Sequence, residues 1–165
     1  MKIKIIFIAL TGLLLAGCPY ENHIDDNYYS AYKPEVMKRS DFEQSIEVIA
    51  PSPLSMKKAG KIYLKDQWLL LGDTNLGFHI YDNSNPESPT YKAFLKIPGA
   101  TDLAIRDNIF YVNQAVDLVA FSYDFATQNV TVLKRIPQAF PKKISPDGYS
   151  LSIGNDEVVV NWIQK

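Results

Sequence analysis

Cysteine is nearly absent from this chain: Cys18 is the one thiol in 165 residues. A single thiol cannot close a disulfide within the chain, so the fold has no covalent staple and must be held by packing. Histidine is almost as scarce. His23 and His79 lie far apart in sequence, which leaves no ligand pair at zinc spacing and no zinc-thiolate set. A surplus of positive charge is missing as well, with 17 lysines and arginines against 18 aspartates and glutamates. Without a basic cluster, nucleic acid is not an expected partner. Long apolar runs are missing too. The run from Ile5 to Leu15 falls short of the roughly 20 apolar residues that a membrane-spanning helix needs.

What is present begins at that same cysteine. Lys2 and Lys4 form a positive start, Ile5 to Leu15 form an apolar stretch, and the small residues Ala16 and Gly17 lead into Cys18, the order of parts in a secretory signal. Leu15-Ala16-Gly17-Cys18 resembles the lipobox of bacterial lipoproteins. The resemblance implies cleavage between Gly17 and Cys18, removal of residues 1–17, and acylation of Cys18 with palmitate-type chains. Each buried CH₂ contributes about 0.8 kcal/mol, so several chains would hold the protein on a membrane where one binds only marginally. Pro19 stands where enterobacterial lipoproteins retained in the inner membrane carry aspartate, which implies an outer-membrane protein, periplasmic or surface-exposed. Loss of residues 1–17 removes two lysines and no acid, leaving 15 basic and 18 acidic side chains.

Residues 18–56 read as a tether and lead-in. Pro19 to Tyr32 mixes acids, asparagines and tyrosines without an apolar period, and is expected to be mostly unordered. Ser40-Asp41-Phe42-Glu43 offers a capping box with Ser40 as N-cap, so one helical turn is expected there. Ile46 to Ile49 reads as extended and ends before Pro51 and Pro53, which cannot continue a central strand.

From Lys57 the sequence repeats. Asp66-Gln67, Asp107-Asn108 and Asp147-Gly148 are turn pairs 41 and 40 residues apart, each followed by a strand-like run: Trp68 to Leu71, Ile109 to Val112, and Tyr149 to Ile153. Tyr81-Asp82 recurs as Tyr123-Asp124, which sets His79 against Phe121, and Ile97-Pro98 recurs as Ile136-Pro137. Four extended stretches fill the first unit: Lys61 to Leu64, Trp68 to Leu71, Gly77 to Tyr81 and Thr90 to Ile97. The second unit supplies Asp102 to Ile105, Ile109 to Val112, Val116 to Tyr123 and Val130 to Ile136. Four short strands at a period of about 40 predict β-propeller blades. The fold class is therefore all-β, an incomplete propeller-like array over residues 57–165, with units at 57–98 and 99–140 and a partial one at 141–165. A helical solenoid is excluded, because the β-branched and aromatic runs are short and broken by turn pairs.

Gly77 to Pro89, with Phe78-His79-Ile80-Tyr81-Asp82 running into Ser84-Asn85-Pro86-Glu87-Ser88-Pro89, resembles the LVIVD repeat, an apolar strand ending in Asp before a Ser-Asn-Pro turn. Leu118 to Asp124 keeps the strand, but Phe125 to Asn129 lacks the proline turn. With Tyr32 to Met37 and Val158 to Trp162, residues 32–165 are similar to the N-terminal part of the lipid-anchored LVIVD-repeat proteins of Bacteroidetes-type bacteria. That resemblance implies a propeller-like fold and carries no established catalytic residues. Two and a half units do not close a ring of at least about four blades. The chain is then a fragment or degenerate member, a short array capped by its lead-in strand, or a protomer completed by self-association. Val158, Val160 and Trp162 would present an uncovered apolar face.

Candidate chemistry is sparse, and no catalytic residue, metal or cofactor is assigned. Asp82-Asn83-Ser84-Asn85 with Glu87 has oxygens enough for calcium but no EF-hand glycine or terminal acid, and an Asx turn is the expected reading. Trp68, Tyr111, Phe121 and Tyr123 could line a sugar-binding face, though blade packing is the expected role, with Trp68 buried in the core. Asp73, Asn75, Asn113 and Gln114 follow the second strand of each unit and form a candidate binding rim on loops. The combined expectation is a non-catalytic, membrane-anchored envelope module that binds a protein or an envelope component. A carbohydrate-binding accessory lipoprotein is the alternative, and a hydrolase ranks third.

Overall fold

Three antiparallel sheets make up a computed structural model of the chain, which describes residues 30–49 and 54–165. The lipobox, with Gly17 and Cys18, lies outside the described residues, as do His23, Pro51 and Pro53. The chain runs β1 (Tyr32–Lys38), α1 (Arg39–Glu43), β2 (Glu47–Ile49), β3 (Ala59–Lys65), β4 (Trp68–Asp73), β5 (Gly77–Asp82) and β6 (Thr90–Lys96). It continues through β7 (Ala100–Arg106), β8 (Ile109–Gln114), β9 (Asp117–Asp124), β10 (Asn129–Ile136) and β11 (Glu157–Gln164).

Local chemistry explains the two large sheets. Asp66 and Asp107 sit at the β3–β4 and β7–β8 turns with φ of 53° and 54°, a left-handed conformation that Asp tolerates better than most residues. The short turns force antiparallel pairing, so β3 to β6 and β7 to β10 each form a meander of four strands. All eight strands expected in these two units are present, with ends displaced by a residue or two. The third unit departs from expectation. Asp147-Gly148 does turn, with Gly148 at φ 87°, but Tyr149 to Ile153 carries no strand, and β11 follows instead.

The two meanders pack face to face. Leu70, Phe78, Ile80 and Leu95 of the first meet Leu103, Phe110, Val112, Val119 and Phe121 of the second in one buried core. Phe110 and Phe121 stack at 5.3 Å. Gly99 joins the sheets at φ 86°, and a Cβ there would fall 2.8 Å from the Ala115 nitrogen, so only glycine lets the backbones approach this closely. The ladders also correct one alignment: His79 lies opposite Leu71, while Val119, not Phe121, lies opposite Val112.

The lead-in is part of this architecture rather than an appendage. β2 adds to β6 as a fifth strand of the first sheet, and β1 pairs along its length with β11 to form a two-stranded ribbon. One helical turn forms as expected, but Ser40 does not cap it. Lys38 occupies the N-cap without a side-chain bond, the Ser40 hydroxyl turns to Asp41, and Glu43 pairs with Arg39. Phe42 is wholly buried with Ala115, Val116, Val158 and Val160. The apolar face expected to lie open on the terminal unit is therefore covered from within the chain, which removes the premise for self-association through it.

Trp68 is half-buried, stacked on Phe125 at 4.5 Å at the rim of the core, and is less enclosed than expected. Phe121→Ala is expected to cost about 3–5 kcal/mol, as large aromatic truncations in packed cores do, and Trp68→Ala roughly half of that. Urea denaturation of the two variants checks the order. Equal losses would place Trp68 inside the core.

Candidate functional site

The four rim residues singled out in sequence turn out to be bonded into the framework. Asp73 is buried, and its carboxylate accepts the backbone N–H groups of Lys57 and Lys58 at 2.8 and 2.7 Å. Asn75, at φ 68°, donates to Asn161 Oδ1 and accepts from Lys143 Nζ. Asn113 Oδ1 accepts the N–H groups of Thr101 and Asp102. Gln114 is fully buried and donates to the Phe42 carbonyl and the Ser45 hydroxyl. Asp73 and Asn113 line cavities while their side-chain oxygens accept backbone N–H groups, and Gln114 is enclosed. Side chains at strand ends are the nearest partners for backbone groups that the ladders leave unpaired, and that demand consumes them.

Gln114 belongs to a larger cluster. The Asp117 side chain has no exposed area, yet it receives Arg39 at 2.5 Å and Arg135 at 2.8 Å, and the Gln138 N–H at 3.0 Å. Arg135 also donates to Gln114 Oε1 and to the Glu43 carbonyl. Both guanidiniums lie over the Phe42 ring, at 5.4 and 5.3 Å. Burial works to raise the Asp117 pKa, but the two arginines and the backbone donor prevail and hold it below the usual carboxylate value.

His79 is buried beside a cavity that Asp73 also lines. It is 1% exposed, its Nε2 lies 3.4 Å from Asp73 Oδ2, and its Nδ1 has no partner among the described residues. Phe94 sits against the ring at 4.8 Å. His79 is thus a packing position, as expected, beside a carboxylate already occupied by backbone donors. Ser55 lines the same cavity without bonding His79, so the three side chains do not form a connected nucleophile, base and orienter.

The open space lies along the seam where the β1–β11 ribbon meets the two sheets. A cavity of about 680 Å³ is walled by Val36, Met37, Phe94 and Val160, with Lys57 and Lys96 also on its lining. A second, about 570 Å³, lies between Arg39, Val116, Phe140, Lys143 and Val158. A third, about 420 Å³, is bounded by Lys57, Thr74, Thr101, Lys143 and Trp162. Volumes of a few hundred Å³ are those of small-ligand sites. Lys143 lines the second and third, and burial pushes its pKa down to about 8.

The aromatic face proposed from sequence is mostly core, with Phe121 and Tyr123 buried and Trp68 stacked. The calcium-like loop closes as Asx turns: Asp82 Oδ1 accepts from Ser84 and Asn85 Oδ1 from Glu87. Lys143 and Trp162 were missed as site residues, because the seam they share joins segments remote in sequence. No protein-family model matches the chain, and no curated protein or solved structure is significantly similar to it.

Removing the Asp117 carboxylate should be severe. Asp117→Ala leaves the part-buried Arg135 without an anion and Arg39 with Glu43 alone, an expected cost of about 3–5 kcal/mol. The folded pKa is depressed, so this stabilisation is fully present above the unfolded value near 3.8 and is lost as pH falls through the folded pKa. Thermal melts below about pH 4 should therefore show a smaller gap between parent and variant than melts at neutral pH. A constant gap would mean that Asp117 acts through packing alone.

Proposed function

We propose that this protein is a lipid-anchored component of a bacterial cell envelope, a propeller-like and non-catalytic module that binds an envelope component or partner protein. The lipobox around Cys18 supports the location. Support for the propeller-like reading comes from the two four-stranded meanders stacked face to face and from the LVIVD-like residues Gly77 to Pro89. The observation that carries the binding reading is the seam. Three cavities open there, while the buried polar side chains around Asp117 and Asp73 are engaged in holding segments together.

The carbohydrate alternative now has a specific footing. Trp162 lines the third cavity beside Thr74, Thr101 and Asn161, a flat ring next to hydroxyl and amide groups. The outer-membrane assignment rests on Pro19, as the lipoprotein resemblance implies.

Cys18→Ala should abolish incorporation of labelled palmitate and release the protein from the membrane fraction. Continued labelling would refute lipid attachment at this site. For the parent protein, sedimentation with outer-membrane markers is the expected result on a sucrose gradient, and co-migration with inner-membrane markers would correct the location.

A further inference from the structure

The third cavity differs from its neighbours in charge. Among the described residues its lining includes Lys57, Lys58 and Lys143 and no aspartate or glutamate, in a chain where acids slightly outnumber bases. The walls come from four places: the residues before β3, the β4–β5 turn, the start of β7, and β11 with the loop before it. The tertiary structure therefore gathers the three cations.

Lys143 is the central group. It is half-buried, and Asn75 Oδ1 accepts from its ammonium at 2.8 Å. That acceptor is a neutral amide, and among the described residues no ion pair includes Lys143. A desolvated ammonium without an anion is costly, and its lowered pKa records that cost. Asn75 cannot turn away to relieve it. Its amide donates to Asn161, its own N–H donates to the Ala100 carbonyl, and its carbonyl accepts the Gly99 N–H.

Trp162 completes the site. Its Nε1 donates to the Lys143 carbonyl at 3.2 Å, and Tyr149 meets it edge-on at 6.1 Å. The indole is thus fixed in place as part of the wall, and Thr74 and Thr101 lie on the same lining, the Thr101 hydroxyl accepting from the Asn113 amide and keeping its own proton to donate. A rigid aromatic plane, adaptable hydroxyls and an uncompensated cation together fit a ligand with a saturated ring, several hydroxyls and a negative charge.

We propose that this cavity binds an anionic saccharide, a sugar carrying a carboxylate or phosphate, with the anion at Lys143 and the sugar ring against Trp162. Lys57 and Lys58 contribute longer-range attraction. The inference rests on the reading of the protein as an envelope-binding module and names the ligand class for one of its cavities.

The test uses the full-length protein in a neutral, sugar-free detergent, with the Trp162 indole ¹H–¹⁵N signal followed during titration with glucuronate, glucose 6-phosphate, glucose and inorganic phosphate. Saturable shifts are expected with the two charged sugars, and binding of glucose and of phosphate should each be about tenfold or more weaker, since a hydrogen bond to a charged group contributes about 1.5–3 kcal/mol. Lys143→Gln should remove the preference for charged sugars while leaving weak glucose binding. That change deletes an unpaired cation, so the variant is expected to fold, and Lys58→Gln, at an exposed position, provides a second reading with a smaller loss. Equal binding of glucose and glucuronate, or binding of phosphate as tight as that of glucose 6-phosphate, would overturn the proposal. So would a Trp162 shift produced by phosphatidylglycerol vesicles and not by the sugars. Absence of any shift in a protein that still takes up palmitate would reject this ligand class and leave the envelope location standing.

Discussion

The arrangement depends on one buried carboxylate. Asp117 begins β9, and by holding Arg39 and Arg135 at once it fastens α1 to the second sheet. With the helix fixed, both strands that flank it are placed. β1 leaves one end of α1 to pair with β11, and β2 leaves the other to extend the first sheet. The amide of Gln114 reinforces the joint by donating to Phe42 and Ser45. Buried ion pairs seldom add much net stability over apolar packing of the same volume. What this one contributes is position, because it ties Arg39 of the lead-in to Asp117 of β9 and Arg135 of β10.

The seam is a consequence of that placement. Two meanders alone would pack through Phe78, Ile80, Phe110 and Phe121 and leave their strand ends open. The ribbon and helix meet the second sheet through one small apolar cluster, Val158, Val160 and Met37 with Phe42 against Ala115 and Val116. The first two cavities lie beside that cluster, and Val116, Val158 and Val160 are among the residues that line them. The polar residues along the seam divide accordingly into those that bond the parts together, such as Asp73 and Asn75, and those left with incomplete partners, such as Lys143 and His79.

The strands of the meanders were legible because their signals are local. Asp66 and Asp107 mark turns, the residues between alternate or run apolar, and antiparallel neighbours need no distant information. The same logic failed at Tyr149 to Ile153, where a turn signal and alternating apolar residues are present but no ladder partner is found among the described residues. Ser40 does not cap because the helix begins at Arg39, which bonds Asp117, so Ser40 lies inside the turn and the N-cap falls on Lys38. The candidate rim was legible as a set of positions but not as roles. Asp73 and Gln114 occupy corresponding strand ends, and whether a polar side chain there meets ligand or backbone depends on what passes in front of it.

By itself the sequence determined the all-β class, the two repeated units with their turns, and, as an expectation, the anchoring signal that ends at Cys18. Each is written in contiguous residues, through backbone preferences at turns and the spacing of apolar side chains. Only the tertiary structure decided that Tyr32–Lys38 pairs with Glu157–Gln164, that Asp117 is the centre of a charge cluster, and that Lys57, Lys143 and Trp162 share one cavity. Those relations join segments up to more than a hundred residues apart. They arise from burial and hydrogen-bond satisfaction across the whole chain, which no local pattern of residue types encodes.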